Sequence, residues 1–157
     1  MHRILFVCHG NICRSTMAQF VFEDLVRQAG LAGEFAVDSA ATSREEIGNP
    51  PHRGTVAKLR EVGVPVGSHR ARQVTAAEYA DWDAIVYMDA ENECGLRRIL
   101  GGDPRGVCRK LLSYTGSDRD VADPWYTGDF DATYQDVLAG CSALLDSLVA
   151  RDAAGRA

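Results

Sequence analysis

A continuous apolar run, Ile4-Leu5-Phe6-Val7, runs into Cys8-His9-Gly10-Asn11-Ile12-Cys13, and from Arg14 a helical period begins in which Met17, Phe20, Val21 and Leu25 share a face. An apolar run without alternation reads as a strand of a parallel sheet covered on both sides. A strand followed at once by a helix leaves a turn at the strand's carboxyl end, which is where open α/β sheets bind ligands. The turn carries C-x5-R, from Cys8 to Arg14. In a chain with five cysteines and many arginines that spacing alone says almost nothing. Its position between a buried strand and a helix start gives it meaning.

The rest of the chain repeats the alternation. Strands are expected at Arg3–Val7, Phe35–Ser39, Ala84–Met88 and Val107–Leu112. The first helix should stop near Gly30, a second should run from His52 to Glu61 before Gly63, and a third from Glu91 to Leu100 before Gly101-Gly102. The last helix is the clearest, with Tyr134, Val137, Leu138, Cys141, Leu144, Leu145 and Leu148 on one face. Ala40–Pro51 reads as a loop punctuated by Gly48-Asn49-Pro50-Pro51, and the small, polar tail Arg151–Ala157 is expected to fray. The pattern predicts an α/β fold: a single, doubly wound, mostly parallel four-stranded sheet flanked by helices. The 157 residues suit one domain spanning 1–157, with neither repeat nor linker.

Charge and cysteine usage narrow the function. A formal net charge of −5 argues against a dedicated nucleic-acid binder, whose footprint is basic. No apolar run approaches 18 residues, so no membrane association is expected. Cys8, Cys13, Cys94, Cys108 and Cys141 are odd in number and scattered, which suits free thiols and a cytoplasmic protein. Cys8 and Cys13 resemble half of a zinc site, but no second half stands at ligand spacing near the four histidines. Neither a Walker motif nor G-x-G-x-x-G is present. The expectation is a site with no metal and no cofactor.

The turn after the first strand has the chemistry of an anion cradle. Backbone N–H groups of a tight loop and a helix start converge on one point. Gly10 lets the backbone approach closely and Asn11 tolerates a left-handed conformation. A cysteine in that field is biased to thiolate. Arg14 can grip two phosphoryl oxygens with its planar fork, and Ser15 can donate a hydrogen bond to the sulfur. The phosphate-binding stretch is therefore His9, Gly10, Asn11, Ile12, Cys13, Arg14 and Ser15.

Val7-Cys8-His9-Gly10-Asn11-Ile12-Cys13-Arg14-Ser15 resembles the signature loop of the low-molecular-weight protein tyrosine phosphatase family. Asp38-Ser39-Ala40, Ser68-His69-Arg70-Ala71-Arg72-Gln73, Tyr87-Met88-Asp89-Ala90-Glu91-Asn92 and Asp123-Pro124-Trp125-Tyr126 resemble further family segments, in the family's order across nearly the whole chain. The resemblance implies Cys8 as phosphocysteine nucleophile, Arg14 as phosphate clamp and Asp123 as general acid and base. It implies Asn11, Ser15, Ser39 and His69 as the polar support of the loop. Ile12, Glu45, Trp125 and Tyr126 would form the substrate rim. Three residues depart from the family pattern: Thr16 for a usual proline, Gln19 for a common glutamate, and Glu45 for a frequent rim aromatic. None is expected to touch the chemistry, and Glu45 bears on specificity.

The implied substrate is a phosphotyrosine-bearing protein, a bacterial tyrosine kinase being one family possibility, and inorganic phosphate is the product. Cys8 and Cys13 also form a candidate redox pair, a peroxide-formed sulfenic acid at Cys8 being trapped as a disulfide. An arsenate reductase on the same scaffold would need a relay of further cysteines, and only Cys94 follows the third strand. A protein-arginine phosphatase would favour threonine where Ile12 stands. A catalytically silent phospho-binding module would not need all three chemical residues.

Overall fold

The computed structural model of the chain describes residues 1–156. Four strands, β1 (His2–Cys8), β2 (Phe35–Ala41), β3 (Ala84–Tyr87) and β4 (Cys108–Lys110), alternate with helices α1 (Arg14–Gln28), α2 (Arg53–Glu61), α3 (Ala90–Leu100), α4 (Pro124–Thr127) and α5 (Phe130–Gly155). The sheet order is β2-β1-β3-β4 and every pairing is parallel. The order reverses between β1 and β3, and the crevice that such a reversal opens lies at the strands' carboxyl ends, where Cys8 closes β1.

The apolar run of β1 is continuous because both faces are covered. Ile4 and Phe6 pack with Met17, Phe20 and Phe22 of α1 and with Val137, Cys141 and Leu144 of α5. Leu5 and Val7 face the other way, against Val74, Trp82, Ile85 and Leu96. The four residues from Ile4 to Val7 are fully buried. Fully burying an aliphatic or aromatic side chain contributes roughly 1.5–3 kcal/mol, so this strand anchors the molecule and holds Cys8 rigidly at its tip.

Several expectations need correction. Cys8 ends a strand rather than beginning a loop, and β2 continues to Ala41 because its last residues still pair with β1, Val7 with Ala40 and Cys8 with Ala41. The fourth strand is only Cys108–Lys110; Leu111–Thr115 form a 3-10 helix that turns Leu111 and Leu112 into the core. The tail does not fray at Arg151. α5 runs on to Gly155 through alanine-rich sequence of high helix propensity, and His2 Nε2 lies 2.9 Å from Asp152 Oδ2, tying this last turn to the start of β1. Ala157 lies outside the described residues. Among the described residues no helix is long and apolar enough to cross a membrane.

Candidate active site

The segment from Cys8 to Ser15 wraps around the Cys8 sulfur. The backbone N–H groups of Asn11 and Ser15 donate to Cys8 Sγ at 3.3 and 3.4 Å, and Ser15 Oγ lies 3.1 Å from it. Ser15 stands in the first turn of the fifteen-residue α1, so the sulfur sits at the positive end of a helix dipole. The loop closes this tightly because Asn11 adopts φ 61°, in the left-handed region. At Gly10 a Cβ would stand 3.3 Å from Glu46 Cγ, so the Glu46 side chain would have to give by a few tenths of an ångström.

Asn11 is fully buried, and its side chain is saturated with partners. Its Nδ2 donates to Ser15 Oγ at 2.8 Å and to Ser39 Oγ at 2.9 Å. Its Oδ1 accepts from the Arg72 backbone at 3.2 Å and from His69 Nε2 at 2.8 Å, which puts the imidazole proton on that nitrogen. Burial lowers the His69 pKa, with Asp38 opposing and Arg72 reinforcing, so the ring is held neutral. Ser39 Oγ passes the chain of bonds on by donating to Gln19 Oε1 at 2.5 Å. The four residues expected to support the loop are thus brought together. Gln19, a departure not expected to touch the chemistry, is a fifth member of the network. Thr16, the other departure in this helix, is buried and donates to the Cys13 carbonyl at 3.1 Å.

Arg14 is 2% exposed. Its Nη1 donates to Asp89 Oδ2 at 2.7 Å and to the Val121 carbonyl at 2.8 Å, and its Nη2 to Asp123 Oδ2 at 3.4 Å. Burial works against the guanidinium charge, but Cys8, Asp89 and Asp123 outweigh it and raise its pKa above the ordinary value. Asp89 is the principal residue that sequence reasoning missed. It was visible in the Tyr87–Asn92 segment without a role, and it has two: it holds Arg14, and it caps α3 by accepting from Asn92 N at 2.8 Å. Asp123 caps α4 in the same way, its Oδ1 accepting from Trp125 N at 3.0 Å with Pro124 opening the helix. One carboxylate oxygen is thereby fixed and the other turns toward Arg14.

Cys8, Arg14 and Asp123 share one pocket of about 100 Å³. Cys8, Cys13 and Arg14 belong to it together with His9, Gly10, Ile12, Glu45, Glu46, Asp123, Trp125 and Tyr126. Glu46 joins Glu45 on the side of the pocket formed by the loop after β2. Trp125 and Tyr126 are 60% and 84% exposed, and Trp125 meets His52 edge-on, which stacks in turn on Phe130. Glu45 Oε2 lies 2.9 Å from His9 Nε2 at the mouth. Cys13 is buried, and burial, followed by the nearby Cys8 and Asp123, pushes its thiol up to about 12. All five cysteines are free. A recessed thiol with N–H donors, a guanidinium and a carboxylate around it can take up an anionic group and exchange a proton with it.

Residues 3–154 match the family model described as low molecular weight phosphotyrosine protein phosphatase. The chain is 45% identical over 150 residues to the low molecular weight protein-tyrosine-phosphatase YfkJ of Bacillus subtilis, covering 94% of this chain and 96% of that protein. It is 38% identical to the human low molecular weight phosphotyrosine protein phosphatase, covering 91% and 93%. The crystal structure of YfkJ superposes with a TM-score of 0.92 over 96% of each chain at 44% identity. That of a Drosophila arginine phosphatase does so with 0.82 at 30% identity, over 92% of this chain and 96% of the other.

Proposed function

The chain belongs to the low molecular weight phosphotyrosine protein phosphatase family, and from that premise we propose that it hydrolyses phosphotyrosine in proteins through a phosphocysteine on Cys8. The observation that carries this reading is the convergence on Cys8 Sγ of the Asn11 and Ser15 N–H groups, with Arg14 and Asp123 lining the same pocket.

In the first step the Cys8 thiolate attacks phosphorus in line. The S–P bond forms, the P–O bond to the aryl group breaks, and the departing oxygen takes a proton from Asp123. Arg14, with Nη1 held by Asp89, offers its other edge to the equatorial oxygens, and the loop N–H groups offer theirs. In the second step Asp123 takes a proton from water as its oxygen attacks phosphorus. The S–P bond breaks, Ser15 receives the thiolate as a hydrogen-bond donor, and inorganic phosphate leaves. Asp123 thus serves as acid in the first step and as base in the second.

The whole chain, 1–157, acts in this reading as one catalytic domain in a reducing, cytoplasmic setting, and its substrate is a tyrosine-phosphorylated protein such as a bacterial tyrosine kinase. Cys13 serves as the resolving partner of an oxidised Cys8. Acid quench of the enzyme during turnover of a ³²P-labelled aryl phosphate tests the central step. Label bound to Cys8 in wild type, and neither label nor turnover in Cys8→Ser, is the expected result; turnover in Cys8→Ser above a tenth of wild type overturns it.

Phosphoarginine is the second reading, favoured by the likeness to the Drosophila arginine phosphatase. Ile12 weighs against it, since it lines the pocket as an apolar wall suited to a phenyl ring and offers a guanidinium no hydrogen bond. Rates on phosphotyrosine, phosphoserine, phosphoarginine and arsenate, measured side by side, separate the readings.

A further inference from the structure

His52 stands at the start of α2 and touches both the loop that carries Cys8 and the turn that follows Asp123. Its backbone N–H donates to the Ile12 carbonyl at 2.7 Å, which ties it to the signature loop. Its Nδ1 accepts from Gly54 N at 2.9 Å and so caps α2, which puts the proton of the neutral ring on Nε2. The ring stacks on Phe130, with centroids 5.5 Å apart and planes 19° from parallel. It also meets the Trp125 ring edge-on, at 5.9 Å and 79°.

The two aromatic neighbours of His52 differ in how firmly they are held. Phe130 packs on Ile12, Cys13 and Ala71. It lies so close to α2 that a Cβ on Gly54 would come within 2.3 Å of Phe130 Cζ, so this contact requires glycine there. Trp125 is 60% exposed and belongs to α4, a turn of only four residues. A single helical turn has little stability of its own, because nucleation costs more than one hydrogen bond returns. Yet this turn sets the carboxylate, since Trp125 N donates to Asp123 Oδ1 at 3.0 Å. Contacts thus run from Ile12 to His52, from His52 to Trp125 and from Trp125 to Asp123, and His52 itself does not line the pocket.

We propose that His52 is a positioning residue for the general acid. Its ring, backed by Phe130, holds Trp125, and through Trp125 it fixes the α4 turn where Asp123 can reach the departing oxygen. The inference rests on the reading of Asp123 as that acid. His52 acts only through Trp125 and exchanges no proton with the substrate.

Two variants separate the ring from the helix cap. His52→Asn keeps an acceptor for Gly54 N and removes the ring; His52→Phe keeps a ring and removes the acceptor. The test compares kcat/KM on phenyl phosphate and on a nitrophenyl ester, with thermal unfolding alongside, for both variants, for Asp123→Asn and for His52→Asn combined with Asp123→Asn. His52→Asn should slow phenyl phosphate about five-fold, a loss of the size that one aromatic contact allows, and the nitrophenyl ester by less than about two-fold. His52→Phe should recover to within about two-fold of wild type on both esters, and His52→Asn should add no loss on top of Asp123→Asn. Equal losses on the two esters, a loss in His52→Phe as large as in His52→Asn, or full additivity with Asp123→Asn would overturn the role. Equal slowing of both esters by Asp123→Asn itself overturns the acid assignment and the proposal with it. Leaving-group dependence in Asp123→Asn without any in His52→Asn overturns the proposal alone.

Discussion

Arg14 Nη1 lies 2.7 Å from Asp89 Oδ2, a bond that joins the loop after β1 to the start of α3 across 75 residues of sequence. The guanidinium is almost completely buried, so its orientation is set by its partners and not by solvent. Nη1 is spent on Asp89 and Val121, while Nη2 faces Asp123 at 3.4 Å on the pocket side.

Asp89→Asn should therefore lower kcat/KM for aryl phosphates about ten-fold, a loss of about 1.4 kcal/mol of transition-state stabilisation, with little loss of fold. Asparagine retains the helix cap that Asp89 provides, so steady-state kinetics beside thermal unfolding separates the two roles. Unchanged kinetics would remove Asp89 as a positioning residue for Arg14.

Asp123→Asn keeps the α4 cap but has no proton to give. Phenyl phosphate, with a poor leaving group, should slow by about 10²–10³-fold, within the range of general acid contributions, and a nitrophenyl ester by much less. Equal losses on both esters would assign the acid elsewhere.

His69 gives stability a sign with pH. Burial, the largest cause, lowers its pKa below the ordinary 6.5 while the unfolded chain keeps the ordinary value. The unfolded state therefore binds the proton first as pH falls. The stabilisation from the neutral ring is complete above about 6.5 and is lost progressively down to the lowered folded value. His69→Gln should flatten urea-unfolding free energies across that window. An unchanged slope would show that the imidazole does not carry it.

Burial, followed by the neighbouring Cys8, pushes the Cys13 thiol up to about 12, so it stays protonated. A sulfenic acid at Cys8 is the electrophile that Cys13, lining the same pocket, would trap as a disulfide with loss of water. After a peroxide pulse and dithiothreitol, wild type should recover activity more completely than Cys13→Ser. Equal recovery would leave Cys13 a packing residue.

Glu45 pairs with His9 at the mouth and offers no aromatic surface. Glu45→Trp should lower KM for aryl phosphates several-fold with kcat nearly unchanged, consistent with stacking worth roughly 0.5–1.5 kcal/mol. A KM that stays at the wild-type value would mean that this position does not meet the ring.

The strands, the order of helices and the loop from Cys8 to Ser15 were legible because each is written in local sequence: an apolar run, a turn, a period. Asp89 was not, because its partner stands on another element and neither neighbourhood mentions the other. Gln19 was discounted because an amide at a buried helical position has no signature until the Ser39 hydroxyl facing it is known. The error at the tail had a different source. Arg151–Ala157 is small and polar, which reads as fraying, while its helix propensity and the distant His2 decide otherwise.

β1 is the first strand of the chain yet lies inside the sheet, with β2 on one side and β3 on the other. During synthesis Cys8 therefore leaves the ribosome long before anything that completes its surroundings. Ser39 and His69 follow, then Asp89, and last Val121 and Asp123, about 115 residues behind it and on the order of ten seconds later at ordinary elongation rates. Until then the nascent chain carries Cys8 without Asp89 to hold Arg14 and without Asp123 beside it. Truncated chains that end before α4 should bear the signature loop and yet be inert toward aryl phosphates.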